Sequence, residues 1–184
     1  MDKPGPSNVL ELSELAVGRQ RTGRKHVLSL TVENKPGVLA RVAGLFSRRG
    51  FNIDTLAVGP TADPDTSRVT LTLDGAKHPI DQVTKQLHKL VNVIKIRDMD
   101  PETTITRELA LFKVNAPVES RAEIAQFAEI FRGSVVDVTR RTMTIELTGT
   151  ADKLEAFEQL VRPHGLVEMV RTGEVALARG RAET

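Results

Sequence analysis

Apolar and polar residues alternate along residues 26–33, and this period of two predicts a β-strand with one buried face. After a break at residues 34–37, the apolar positions change to the spacing of an amphipathic helix. Pro36 suits the first turn of that helix, where its missing N–H costs nothing, and Gly50 suits its end. The predicted helical stripe consists of Val38, Leu39, Val42, Leu45 and Phe46.

The pattern beyond Gly50 predicts three more strands and a second helix before residue 98. The strands fall at residues 51–58, 68–73 and 93–97, and the helix begins at Ile80. The order is therefore β-α-β-β-α-β over roughly 70 residues, which is the ferredoxin-like arrangement.

A second unit of the same kind follows a polar joint at residues 98–106. The sequence LFSRRGFNIDT at residues 45–55 resembles EIFRGSVVDVT at residues 129–139, which indicates an internal duplication. We therefore predict an α+β protein of two ferredoxin-like βαββαβ domains in tandem, with antiparallel sheets and helices on one face. The predicted elements of the second unit are strands at 109–114, 135–138, 143–147 and near 166–177, and helices at 122–131 and around Leu154 to Val161.

These patterns divide the chain into five parts. We expect a flexible leader and a short C-terminal tail outside the two domains, with one linker between them. The expected boundaries are 1–25 for the leader, 26–98 for the first domain, 99–106 for the linker, 107–180 for the second domain and 181–184 for the tail.

The break at residues 34–37, with the sequence Asn-Lys-Pro-Gly, has the properties of a small anion site. A helix start presents unpaired N–H groups and partial positive charge, and a glycine there leaves room for a ligand. A carboxylate bound near Gly37 to Leu39 could be oriented by Asn34, although a Pro-Gly turn is also often only a turn and Asn34 only a cap. The corresponding turn of the second unit, residues 115–119, contains no glycine.

Composition limits the remaining functions. There is no cysteine, so disulfides, thiolate metal sites and cysteine nucleophiles are excluded. No apolar stretch approaches the roughly 18 residues of a membrane span, and we expect a cytoplasmic protein. The five basic and three acidic residues of 1–25 carry the whole net charge, because residues 26–184 hold 21 of each sign. The folded body therefore has no strong field for nucleic acid.

Long segments of the chain resemble one known family, the small regulatory subunits of acetolactate synthase, also called acetohydroxyacid synthase. The resemblance covers about residues 26–180, and its most specific segments are GLFSRRGFNIDTL and KQLHKLVNV. It implies that the first domain is an ACT domain, which forms homodimers, and that the second is ACT-like. It also implies a partner, the large catalytic subunit, which carries thiamine diphosphate, FAD and magnesium, while this chain binds no cofactor or metal and is not an enzyme by itself.

The resemblance also assigns a binding site for valine or a related amino acid between two ACT domains. The small subunit would activate the catalytic subunit in branched-chain amino acid biosynthesis and confer feedback inhibition by valine. No catalytic residue is implied in this chain. The residues that match the family's ligand-binding positions are Asn34, Gly37, Val38 and Leu39, with Asn52 and Ile53 supplied by the neighbouring subunit.

Three alternatives to this interpretation remain at the level of sequence. An enzyme is disfavoured because no nucleophile, phosphate-loop or zinc motif is present. An RNA-binding domain has the same element order but needs aromatic residues on its central strands, where we expect Thr70 and Thr72 on an exposed face. An ACT regulator of a different enzyme is the third alternative, since ACT domains accompany many enzymes.

Overall fold

The computed structural model describes residues 25–74 and 79–184, which form two α/β sandwiches. In the first, apolar side chains of an antiparallel sheet pack against two helices that cover one face. The sheet order is β2-β3-β1-β4. The elements are β1 Lys25–Glu33, α1 Val38–Arg48, β2 Thr55–Pro60, β3 Thr66–Asp74, α2 Ile80–Leu87 and β4 Val93–Met99.

The second sandwich repeats this arrangement, with the order β6-β7-β5-β8 and a ninth strand that pairs with the beginning of β5. The predicted α+β architecture of two βαββαβ units is thus confirmed. A turn of 3₁₀ helix, Arg162–His164, follows the last helix. The elements are β5 Thr104–Asn115, α3 Val118–Ile130, β6 Ser134–Val138, β7 Thr142–Gly149, α4 Ala151–Val161, β8 Leu166–Arg171 and β9 Val175–Ala178.

Each unit has its own hydrophobic core, built from the residues that alternate along its strands. In the first unit Phe46 of α1 is buried and contacts Phe51 edge to face, with ring centroids 6.1 Å apart. In the second, Phe112 of β5 contacts Phe157 of α4 at 5.0 Å. Such edge-to-face pairs stabilise a core beyond the area they bury.

The last strand of the second unit was predicted as one segment, and the structure divides it. β8 ends at Arg171 and β9 begins at Val175, with Gly173 between them at a φ of 81°. The break accommodates the buried carboxylate of Glu108, which accepts hydrogen bonds from Arg171 Nε at 3.0 Å and from the Gly173 N–H at 3.1 Å. A buried charge needs such partners, so the strand is interrupted to supply them.

The prediction that Thr70 and Thr72 lie on an exposed face is wrong, because both are buried. Their face of the first sheet is covered by a two-stranded ribbon, which consists of residues 104–107 of β5 paired with β9. Gly173, just before β9, lies against Thr55 of β2, and Thr72 Oγ1 is 2.7 Å from Thr55 Oγ1. The central strands therefore offer no open stacking surface of the kind that RNA-recognition domains use.

Candidate functional site

The turn between β1 and α1 is held open by a glycine in the left-handed region. Gly37 is the N-cap of α1, with a φ of 83°. A Cβ at this position would meet no atom within 4 Å, so space rather than packing surrounds the turn. Glycine adopts this conformation without the steric cost that other residues incur, which explains its presence here.

The first turn of α1 presents free hydrogen-bond donors. The Val38 N–H donates to the Lys35 carbonyl at 3.3 Å, and the Arg41 N–H donates to the Gly37 carbonyl at 3.1 Å. The two N–H groups between them, of Leu39 and Ala40, have no hydrogen-bond partner among the described residues. The turn contains no acidic residue and no side-chain cap, so an external anion would meet uncompensated positive charge.

Asn34 ties this turn to the loop between β2 and β3. Its backbone N–H donates to the Asp65 carbonyl at 2.8 Å, and its side-chain Nδ2 donates to the Pro64 carbonyl at 3.0 Å. The N-cap of α1 is Gly37, so the alternative that Asn34 merely caps the helix does not hold. The exposed Asn34 side chain is thus fixed in orientation beside the turn.

The next two predicted residues play different parts. Val38 is buried in the core of the first unit, so only its backbone faces the turn. Leu39 is 42% exposed and offers an apolar side chain at the first turn of the helix. The turn therefore combines a polar backbone surface with one accessible apolar group.

The structure does not bring Asn52 and Ile53 to this turn. Both lie beyond the far end of α1, whose 11 residues span about 16 Å at ~1.5 Å per residue. Asn52 is exposed and its Nδ2 donates to Asp54 Oδ1 at 3.1 Å, whereas Ile53 packs against the core of the first unit. Within one chain, the six predicted residues thus form two separate groups at opposite ends of one helix.

A charged network borders the turn, and sequence reasoning did not identify it. Arg41 Nη1 donates to Asn92 Oδ1 at 2.7 Å, and Asn92 Nδ2 donates to Glu33 Oε2 at 2.5 Å. Hydrogen bonds from Asn92 and from Lys35 lower the pKa of the Glu33 carboxyl below its usual range. Asn92 lies 59 residues from Glu33, so no local pattern could have revealed this contact.

The corresponding turn of the second unit is closed by its own chain. Arg121 of α3 donates from Nη2 to the carbonyls of Ala116, Thr139 and Arg140, at 3.1, 2.9 and 3.1 Å. The N-cap of α3 is Pro117 in an extended conformation, and Ala116 is fully buried. The first turn of α3 also carries an acidic residue, Glu119, which offsets its positive charge, whereas the first turn of α1 has none.

The described residues lack two other kinds of functional feature. Residues 25–74 and 79–184 contain no group of three or more His, Cys, Asp or Glu side chains placed to hold a metal ion. No helix in this part of the chain has the length and apolar composition needed to cross a membrane.

Comparison with known families shows that each of the two units matches a family model. A family model described as "AHAS small subunit-like ACT domain" matches residues 28–95. A second, described as "Small subunit of acetolactate synthase", matches residues 107–180. Together they cover most of the described chain and leave residues 1–27, 96–106 and 181–184 unmatched.

Individual relatives agree with these matches. A probable acetolactate synthase small subunit from Methanothermobacter thermautotrophicus is 50% identical over 156 residues, which are 84% of this chain and 93% of that protein. An acetolactate synthase small subunit from Mycobacterium bovis is 50% identical over 157 residues, or 85% and 94% of the two chains. The crystal structure of the small subunit from Thermotoga maritima superposes with a TM-score of 0.79, at 44% identity, covering 86% of this chain and 99% of that one.

Proposed function

Because this chain belongs to the family of acetolactate synthase small subunits, we propose that it senses a branched-chain amino acid at the turn around Gly37. In this proposal it activates the large catalytic subunit and confers feedback inhibition by valine. The chain itself performs no catalysis and binds no cofactor. Thiamine diphosphate, FAD and magnesium belong to the catalytic subunit in the cytoplasmic holoenzyme.

The observation that carries the proposal is the open N-terminus of α1. The α-carboxylate of the effector accepts hydrogen bonds from the free N–H groups of Leu39 and Ala40, beside the unobstructed Gly37. This contact contributes roughly 0.3–2 kcal/mol, and burial of an isopropyl group adds about 2 kcal/mol. Binding free energies of this size suit a sensor of micromolar to millimolar metabolite concentrations.

The effector site is completed by a second copy of the chain. Asn34, Gly37, Val38 and Leu39 lie at one end of α1, and Asn52 and Ile53 lie about 16 Å away, at the other end. A small amino acid cannot touch both groups in one protomer. In an ACT-domain homodimer with antiparallel α1 helices, the partner subunit's Asn52 and the partner subunit's Ile53 approach Gly37.

Binding between two protomers fixes how they pack, and the catalytic subunit responds to that change. A coupling free energy of about 1–3 kcal/mol is sufficient for useful inhibition. One methylene changes affinity by about 1–3 kcal/mol, so valine is favoured while leucine and isoleucine also act. The alternative, an ACT regulator of another enzyme, is less well supported because the second unit also matches the acetolactate synthase family.

Titration calorimetry with valine on the full chain tests the site, with Gly37→Asp as the disruptive variant. The new carboxylate lies where the effector's carboxylate binds, so we expect valine affinity to fall at least about 30-fold, or ~2 kcal/mol. No atom lies within 4 Å of the added Cβ, so the folding cost is confined to the positive φ of 83°, which other residues adopt with strain. In the holoenzyme, this variant should still activate the catalytic subunit but resist valine.

Gly180→Asp is the matched control. Gly180 also has a positive φ, 71°, and no atom within 4 Å of an added Cβ, but it follows β9 in the second unit. The two variants therefore carry a similar backbone cost, and only Gly37→Asp should abolish binding. Unchanged valine affinity in Gly37→Asp, or equal losses in both variants, would show that the site is misplaced.

A further inference from the structure

Three cationic side chains share one face of the first sheet. Arg68 of β3 and Lys95 of β4 both pair with Thr31 of β1, and Arg97 lies two residues beyond Lys95 on the same strand. The core residues of β1 point to the other face, towards α1 and α2, so the three cations lie on the face that the ribbon covers. No described side-chain carboxylate forms an ion pair with any of them.

The partner of this cationic cluster is the main chain of residues 179–184, which we call the strap. Arg68 Nη2 and Lys95 Nζ each donate to the Thr184 carbonyl at 3.3 Å. Arg97 Nη1 donates to the Glu183 carbonyl, which Lys95 Nζ also reaches at 3.5 Å. Hydrogen bonds from charged donors are roughly twice as strong as neutral ones, so the cluster holds the strap by its backbone.

The strap continues directly from the ribbon and turns back on it. The Arg179 N–H donates to the Thr103 carbonyl at 2.7 Å, and Gly180, with a φ of 71°, follows at the turn. The Ala178 N–H then donates to Thr184 Oγ1 at 2.8 Å, and Thr184 is buried. The last strand of the second unit is therefore connected through the strap to the sheet of the first.

The packing beneath the strap is looser than that of the two cores. A cavity of about 430 Å³ lies between the strap and the sheet, with Thr31, Arg68 and Ile94 on the sheet side and Ala182 on the strap side. Arg68 Nη1 is buried and has no hydrogen-bond partner among the described residues. Protein cores contain few voids and few unpaired donors, so this contact can be released at lower cost than a core contact.

We propose that the strap is a releasable fastening between the two units, which holds the ribbon on the first sheet while its backbone is bound to Arg68, Lys95 and Arg97. The ribbon has only four residue pairs, and a short two-stranded ribbon is marginally stable by itself. Release of the strap therefore loosens the ribbon without unfolding either core. This assignment does not depend on the effector site.

Hydrogen exchange of the ribbon amides in the full chain, measured by mass spectrometry at low ionic strength, tests the fastening. Lys95→Gln combined with Arg97→Gln should make residues 104–107 and 175–178 exchange at least ten times faster, while β3 and β7 keep their protection. Unchanged exchange of the ribbon would overturn the proposal. Faster exchange of β3 and β7 as well would mean that the two cations stabilise the whole fold, which also contradicts it.

The matched control is Lys113→Gln combined with Arg162→Gln. These exposed cations pair with Glu168 and Glu158 in the second unit, away from the strap, and their loss changes the net charge by the same amount. We expect ribbon exchange within two-fold of the unaltered chain. An equal acceleration in both double variants would attribute the effect to net charge and refute the fastening.

Glu183→Ala tests whether the strap is held by its backbone. The cations contact the Glu183 carbonyl, which alanine retains, so ribbon exchange should stay within two-fold. Acceleration as large as that of the Lys95→Gln, Arg97→Gln variant would show that the carboxylate is the true partner, and backbone fastening would be wrong.

A double-mutant cycle locates the action of the cations. A chain shortened to residue 180 should show ribbon exchange at least ten times faster, because the two bound carbonyls are removed. Adding Lys95→Gln and Arg97→Gln to the shortened chain should change the rate less than two-fold, since the cations no longer have a strap to hold. If the two effects multiplied instead, the cations would act elsewhere and the proposal would fail.

Discussion

The two strand-to-helix turns of this molecule start from nearly the same sequence and have different structures. Each has an Asn and a Pro before a helix that begins with Val and carries Arg at its fourth position, Arg41 in α1 and Arg121 in α3. The first turn contains one additional residue, Gly37. That residue accommodates the left-handed conformation and leaves the first turn open.

The two arginines make different contacts in the turn with the extra glycine and in the turn without it. Arg121 turns back onto three carbonyls of its own unit and fills the turn, whereas Arg41 pairs sideways with Asn92 and leaves the turn accessible. The neighbouring residues follow the same trend, since Ala116 is buried and its counterpart Lys35 is exposed. In the second unit the turn is filled by a side chain of its own chain, and in the first the space around Gly37 is open.

The largest stability effect should come from removing the arginine that closes the second turn. Arg121→Ala removes a charged donor from three carbonyls, and we expect the free energy of unfolding to fall by about 2 kcal/mol. For a chain of this size, this lowers the melting temperature by roughly 4–8 °C. Thermal unfolding followed by circular dichroism measures it.

Arg41→Ala is the equivalent change in the first unit and serves as its comparison. Arg41 is exposed and its side chain pairs with the Asn92 amide, so its loss should cost only about 0.5 kcal/mol. If the two variants were equally destabilised, the distinction between a closed and an open turn would lose its energetic basis.

A smaller effect is expected from the residue proposed to complete the site from the partner subunit. Asn52→Ala should weaken valine binding about five-fold, or ~1 kcal/mol, while the melting temperature stays unchanged because Asn52 is exposed and bonds only locally to Asp54. Calorimetry on the full chain measures the affinity.

Asn115→Ala, in the closed turn of the second unit, is the control for that measurement. It removes the asparagine of the second unit that corresponds to Asn34 of the first, so it should leave valine affinity unaltered. If Asn115→Ala lost valine binding and Asn52→Ala kept it, the effector site would lie in the second unit and the proposed site would be wrong.

Much of the fold follows from local pattern, because alternating strands and helical stripes are set by neighbouring residues. Phe112 and Phe157, for example, lie in segments whose spacing of apolar residues predicts a strand and a helix, and both are buried in the core of the second unit. The burial of Thr70 and Thr72 was not predictable in this way, since the ribbon that covers them comes from more than 30 residues away. The glycine turn was recognisable from Gly37 itself, whereas its closure in the second unit depends on Arg121 reaching Thr139 across the fold.

The smallest expected effect concerns the charged border of the open turn, which the second unit lacks because buried Val114 stands where the first has Glu33. Hydrogen bonds from Asn92 and then Lys35 lower the pKa of Glu33. A lowered folded pKa means that its contribution to stability is complete above the usual glutamate pKa of about 4.3 and is lost as the pH falls through the folded value. NMR titration of the Glu33 carboxyl should give a pKa below that of an ordinary glutamate, and Asn92→Ala should raise it towards the usual range. A titration that Asn92→Ala leaves unchanged would show that the border is not organised by this hydrogen bond.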